Sequence, residues 1–181
     1  VGFQPDLVII KRVDAAGDPS WFDSSRGALK KLETADGGSG TGYQTEATVA
    51  NSLTAFGTDG FTVGSDMGTS TAKYDALCWK CNGGTTSANT DGTIASTVQV
   101  NQAAGFSIVQ WTGTGTAGSV GHGLGVKPAF FIIKNRDSTE HWDVWHQYMN
   151  SRVAPTDNQR LRLDQESALV TSTNTLDVSE I

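Results

Sequence analysis

The densest group of side chains able to do chemistry is Trp142-Asp143-Val144-Trp145-His146, with His141 just before it. An exposed tryptophan beside a carboxylate and an imidazole suits a sugar. The C–H face of the sugar ring stacks on the indole while its hydroxyls bond the polar atoms. On an extended strand, His141, Asp143 and Trp145 face one way and Trp142, Val144 and His146 the other. Trp21 and Asp23 partly repeat the group near the start of the chain. The candidate ligand-binding residues are therefore Trp142, Asp143, Trp145, His146 and Trp21. The competing reading, which carries more weight, makes Trp21 and Trp142 core anchors, because they recur at matched places in an internal repeat.

Other chemistry is weaker. Cys78 and Cys81 form one C-x-x-C at the end of a strand-like run, whereas a thioredoxin-type pair opens a helix. Zinc needs four ligands, and no second pair exists. Gly121-His122-Gly123-Leu124-Gly125 lacks the lysine and the following helix of a phosphate-binding loop, so it reads as a tight turn. No EF-hand spacing is present. Asp14, Asp18 and Asp23, or Asp59 and Asp66, could still place loop oxygens around calcium. Glu33, Glu46, Glu140 and Glu166 have no spacing that pairs two carboxylates across a glycosidase cleft. No G-x-S-x-G is present. Neither catalytic residues nor a resident metal or cofactor is expected.

The elements that must position these groups are short strands. Leu7-Val8-Ile9-Ile10 is a brief β-branched run between Pro5 and a turn-rich stretch. Asp59-Gly60 marks a hairpin leading into Phe61-Thr62-Val63. Tyr74–Trp79 alternates with period two and reads as a mostly buried strand. Further strands are expected at 93–100 and 105–111, with a possible one at 161–163. Ala129–Ile133 is apolar throughout, as in a strand covered on both faces. Residues 26–33 fit one helical turn or a strand, and 36–42 form a Gly-rich loop. Many short strands, Gly-rich turns and no long helix predict an all-β sandwich.

The chain repeats itself. Residues 2–14 read GFQPDLVIIKRVD and residues 125–137 read GVKPAFFIIKNRD. Gly2, Pro5, Ile9-Ile10-Lys11 and Asp14 match Gly125, Pro128, Ile132-Ile133-Lys134 and Asp137. A slip of two residues then sets Trp21 on Trp142. The spacing is that of one domain following another of its kind, not of a solenoid unit. The turn-rich, core-free stretch 82–92, NGGTTSANTDG, reads as a linker between residues 1–81 and 93–181.

Composition excludes several classes. Gly, Ser and Thr make up about a third of the chain, a mix that disfavours helices. A net charge of −6 with scattered Lys and Arg argues against nucleic acid as a partner. No run of apolar residues is long enough for a membrane-spanning helix.

Three phrases, GFSIVQWTGTGTAGSVGHGLGVKPAFFIIKNRD (105–137), DGFTVG (59–64) and YDALCWK (74–80), carry a family likeness in their sequence and order. The chain resembles a domain of uncharacterised function that recurs in bacteriophage virion proteins, frequent in marine phages and in tail-fibre or appendage proteins. That resemblance implies a β-sandwich of jelly-roll or concanavalin-like character on a virion surface or otherwise extracellular. It supplies no catalytic residues. It also implies that residues 1–81 are the back of one unit and 93–181 the front of the next. The two could close into one permuted sandwich or be completed by strand exchange in an oligomer. The expected role is a non-enzymatic tail-fibre-type module for host-surface glycan or lipopolysaccharide recognition, or for structural display with other virion proteins, as a homo-oligomer such as a trimer. The alternatives are a carbohydrate-binding module of a secreted cellular protein and a polysaccharide depolymerase domain.

Overall fold

A computed structural model describes residues 1–35, 45–149, 158–165 and 170–172. Among them the secondary structure is β-strand with two short 3-10 turns and no α-helix. The fold is all-β and sandwich-like, built from antiparallel sheets. No helix of the described residues is long and apolar enough to cross a membrane.

The first half contains β1 (Leu7–Arg12), β2 (Ser20–Asp23), β3 (Lys30–Glu33), β4 (Ala47–Thr48), β5 (Leu53–Gly57), β6 (Gly60–Val63) and β7 (Tyr74–Trp79). Five of these make one sheet in the order β4-β3-β2-β1-β7, and β5 and β6 form a hairpin of their own. Alternation along β1 sends Val8 and Ile10 to one face, where they meet Phe22 and Leu53 in a buried cluster. Phe56 and Phe61 of the β5–β6 hairpin pack on that cluster. Apolar side chains of two sheets thus bury one another, which is the main force holding this half together.

The second half contains β8 (Ser87–Asn89), β9 (Ser96–Asn101), β10 (Phe106–Trp111), β11 (Phe130–Lys134), β12 (Trp142–His146), β13 (Asn158–Arg162) and β14 (Val170–Ser172). They form a three-stranded sheet, β10-β9-β8, and a four-stranded sheet, β11-β12-β13-β14. Within residues 26–33, Lys30–Glu33 form the strand β3, after a turn. The stretch read as a linker holds β8, which pairs with β9. The loop expected at 36–42 lies outside the described residues.

Three expectations need correction. First, β7 and β11 are not buried throughout, and among the described residues each ends its sheet. Leu77 is 58 % and Phe130 52 % exposed. Apolar content cannot tell a central strand from an edge whose outer neighbour is missing. Second, the permuted sandwich into which residues 1–81 and 93–181 could close does not arise from a ladder between strands within 56–80 and strands within 105–134: β7 pairs with β1, β10 with β9 and β11 with β12. Third, the repeat does not slip. Leu7 pairs with Asp23, and Phe130 pairs with His146. One constant offset therefore carries the β1–β2 hairpin onto the β11–β12 hairpin. On that offset Trp21 corresponds to Val144, and Phe22 corresponds to Trp145. The backbone ladder and the loop length set hairpin register, and similarity between single residues does not override them.

Candidate functional site

β12 carries four of the five candidate residues, and its ladder with β11 and β13 decides what each can touch. Trp142 is only 4 % exposed. Its ring lies against Trp21, with centroids 4.9 Å apart and a 37° tilt. Its indole Nε1 donates to the Glu33 carbonyl at 2.9 Å, and its backbone N–H donates to Asp164 Oδ1 at 3.1 Å. The other Asp164 oxygen lies 2.9 Å from His141 Nδ1. Trp21 is half-buried, and its own Nε1 has no partner among the described residues. The two tryptophans thus form a joint between the five-stranded and four-stranded sheets.

Trp145 is also buried, stacked on Phe131 with centroids 5.2 Å apart and planes 15° from parallel. On the same face, Asp143 accepts a charged hydrogen bond from Arg160 at 2.9 Å. Burial pushes the Asp143 carboxyl up, and the nearby Arg160, Arg162 and His141 act against that. Asp143 Oδ1 and the Nε atoms of Arg160 and Arg162 are buried without partners among the described residues. His146 turns outward between Phe130, at 6.5 Å, and Tyr148, at 5.4 Å. Tyr148 is 68 % exposed. The strand therefore places Trp142 and Trp145 inside and leaves Phe130, His146 and Tyr148 as its accessible aromatic row.

Sequence reasoning missed the tightest polar cluster. Asp6 is fully buried, and its carboxylate accepts from the backbone N–H of Cys81 (2.6 Å), Gly83 (3.0 Å) and Gly84 (2.9 Å) and from the Ser24 hydroxyl (2.7 Å). Gly83 and Gly84 sit at φ of 61° and 79°, a left-handed turn that aims successive N–H groups at one oxygen pair. Gln99 of β9, also fully buried, completes the cluster. Its Oε1 accepts from Asn82 and Gly84, and its Nε2 donates to Ser24 and Ser25. This lock fastens the end of the first half to the first long strand of the second. A third tie joins Glu46 to Arg136 through a backbone bond of 2.8 Å and a side-chain pair at 3.4 Å. The Asn-Gly-Gly turn was the one available signal, but nothing in the sequence marked Asp6 as its occupant.

The remaining candidates are dispersed. Asp14 pairs with Arg12, Asp23 with Arg26, and Asp59 accepts from the Gly2 N–H. Among the described residues no group of three or more His, Cys, Asp or Glu is placed to hold a metal ion. The His122 ring accepts from the Leu124 N–H at 3.1 Å, closing the turn expected there. A polar hollow of about 550 Å³ opens beside β8 and β9, lined by Asn82, Ser87, Asn89, Asn101 and Gln102 among others. None of the five candidate residues lines it. Cys81 donates to the Gln99 carbonyl at 3.0 Å, and burial, reinforced by Asp6, pushes its thiol up to about 11. Cys78 is pushed up by burial too. At pH 8 Cys81 should be alkylated roughly a hundredfold more slowly than an unstructured cysteine, because little thiolate is present. Mass spectrometry of iodoacetamide-treated, folded protein checks this. A rate equal to that of the unfolded protein would show that the lock opens freely.

The arrangement defines an all-β module whose aromatic and buried polar groups join two halves that share one recurring hairpin. The chain belongs to the family described as Domain of unknown function (DUF7483), which matches residues 1–181. No similar curated protein and no similar solved structure was found.

Proposed function

We propose that the chain is a non-enzymatic structural and display module of the kind carried on phage tail fibres and similar surface appendages. The observation that carries this reading is the burial of Trp142 against Trp21. Together with the Asp6–Gln99 lock, it makes a stiff joint between the halves, as a spacer requires. Such a module has other virion proteins and further copies of itself as partners. The test is an array of glycans and lipopolysaccharides probed with the folded chain, with and without calcium, beside sedimentation of the chain alone. Silence on the array and a discrete oligomer such as a trimer are the expected results. A specific glycan signal from a monomer would overturn the spacer role in favour of a carbohydrate-binding module. Release of reducing ends from a capsule or lipopolysaccharide would favour a depolymerase.

Host-surface glycan recognition is the second reading, favoured by the Phe130–His146–Tyr148 row. Aromatic faces open to solvent suit the apolar faces of sugars, and the adjoining imidazole can bond hydroxyls. If this reading is right, Tyr148→Ala weakens an array signal by about tenfold or more while leaving Tm unchanged, the behaviour of a stacking residue at the centre of a contact. An array signal that ignores Tyr148→Ala would place recognition elsewhere.

A further inference from the structure

The hollow beside β8 and β9 is built on the face of β9 opposite the Asp6–Gln99 lock. Alternation puts Val98 and Val100 on that face and Gln99 on the other. Ser87 of β8 lies beside Val98 across the ladder. The loop at 121–123 crosses the same face. Its Gly121 carbonyl accepts from the Ser96 hydroxyl at 2.9 Å, and its Gly123 carbonyl accepts from Gln102 Nε2 at 2.9 Å. Gly123 sits at φ of 71°, and a Cβ there would stand 2.7 Å from Val100 Cγ2. The Gly-His-Gly turn thus brings its backbone down onto β9 and fixes one wall of the hollow.

Three amide side chains that line the hollow are each held at one end by backbone. Gln102 Nε2 donates to Gly123, Asn82 Nδ2 donates to the Thr85 carbonyl at 3.2 Å, and Asn101 Oδ1 accepts from the Ala104 N–H at 3.1 Å. A backbone carbonyl only accepts and a backbone N–H only donates, so these contacts also fix which end of each amide is left over. Asn101 offers its Nδ2 as a donor, and Asn82 and Gln102 offer Oδ1 and Oε1 as acceptors. Among the described residues these three atoms have no partner. The Ser87 hydroxyl can act either way. No charged side chain lines the hollow among the described residues, and the Cys81 thiol there is spent on the Gln99 carbonyl.

We propose that this hollow binds one unit of a neutral saccharide. A sugar hydroxyl both donates and accepts, which matches a donor and two acceptors held ready around it, and the C–H face of the ring covers Val98 and Val100. An acidic sugar would bring a charge with no partner to a chain of net charge −6. At about 550 Å³ the hollow has room for a sugar ring and bridging waters. With no aromatic ring to stack on, the contact is weak, with a Kd in the millimolar range. Such a contact is lost in the washing of an array, so silence there leaves it standing. It is also independent of the Phe130–His146–Tyr148 row.

The test titrates the isotope-labelled intact chain with glucose, galactose and N-acetylglucosamine in turn, up to about 100 mM, and follows backbone amide shifts by NMR. At least one sugar should saturate, with shifts centred on 82–87, 98–102 and 123. Glucuronate should bind about tenfold or more weakly than the best neutral sugar. Asn101→Asp keeps the acceptor for the Ala104 N–H but replaces the open NH₂ with a carboxylate oxygen, and should also weaken binding about tenfold or more. Should that variant fail to fold, the shift map and the comparison with glucuronate decide on the wild-type chain. Four results would each overturn the proposal: no saturable shift with any neutral sugar, shifts centred on Phe130, His146 and Tyr148, glucuronate binding as well as the neutral sugars, or undiminished binding to folded Asn101→Asp protein.

Discussion

Replacing Trp142 with alanine is expected to lower the unfolding free energy by about 3–5 kcal/mol, the range for deleting a large buried aromatic. The side chain is almost wholly buried, lies 4.9 Å from the Trp21 ring and donates its indole N–H to Glu33. Its removal leaves a void between two sheets and an unpaired carbonyl on β3. For a chain of this size the loss corresponds to roughly 10 °C in Tm. Trp142→Phe keeps most of the ring but forfeits the bond to Glu33, and should cost about 1–2 kcal/mol. Pairing Trp142→Ala with Trp21→Ala should give markedly less than the sum of the two, since each single change already opens the joint. Urea denaturation of the four proteins measures this. A loss below about 1 kcal/mol for Trp142→Ala would remove the main support for a stiff joint, and with it for the spacer role.

Asp6→Ala should be as damaging, at about 3–5 kcal/mol, for a different reason. The Asp6 carboxylate is the acceptor for three backbone N–H groups and one hydroxyl. Without it those donors stay buried, and desolvated donors cost far more than a surface bond is worth. Asp6→Asn is nearly isosteric but turns an NH₂ toward backbone donors, so it should recover only part of the loss. The repeat supplies an internal control. The position equivalent to Asp6 is Ala129, which is exposed. Ala129→Ser should therefore stay within about 0.5 kcal/mol of the wild type. The same denaturation series reads all three variants. If Asp6→Ala proves as mild as the control, the Asn-Gly-Gly turn does not depend on the carboxylate.

The two experiments separate the forces joining the halves. Trp142 acts through buried area and packing, and Asp6 through polar satisfaction. They lie in different contacts, so their effects should add within a few tenths of a kcal/mol. Strong coupling between them would mean that the halves dock as one all-or-none event.

Much of the fold was legible from local rules. Short strand-like runs bounded by turn residues located β1, β9 and β10, period-two alternation located β7, a continuous apolar run located β11, and Asp59-Gly60 located the β5–β6 hairpin, because strand preference and turn chemistry act over a few residues. The internal repeat pointed to two related hairpins for the same reason. The candidate site was less legible. Trp21 and Trp142 were matched as equivalent positions, and the tertiary structure instead makes them partners. The ladder pairs Trp21 with Ile9 and Trp142 with Lys134, so they are not related by the repeat. Asp6 passed unnoticed because a single carboxylate after a proline looks like any solvated turn residue, and its partners are many residues away in Cys81–Gly84 and Gln99.

The sequence by itself determined which segments become strands, where the tight turns fall and that one hairpin recurs, since each depends on neighbouring residues and backbone sterics. Only the tertiary structure decided which strands are edges, which aromatic rings are buried and which carboxylate is caged. Those depend on what lies across the sheet or beyond the last strand, and apolar periodicity carries no information about a neighbour distant in the chain.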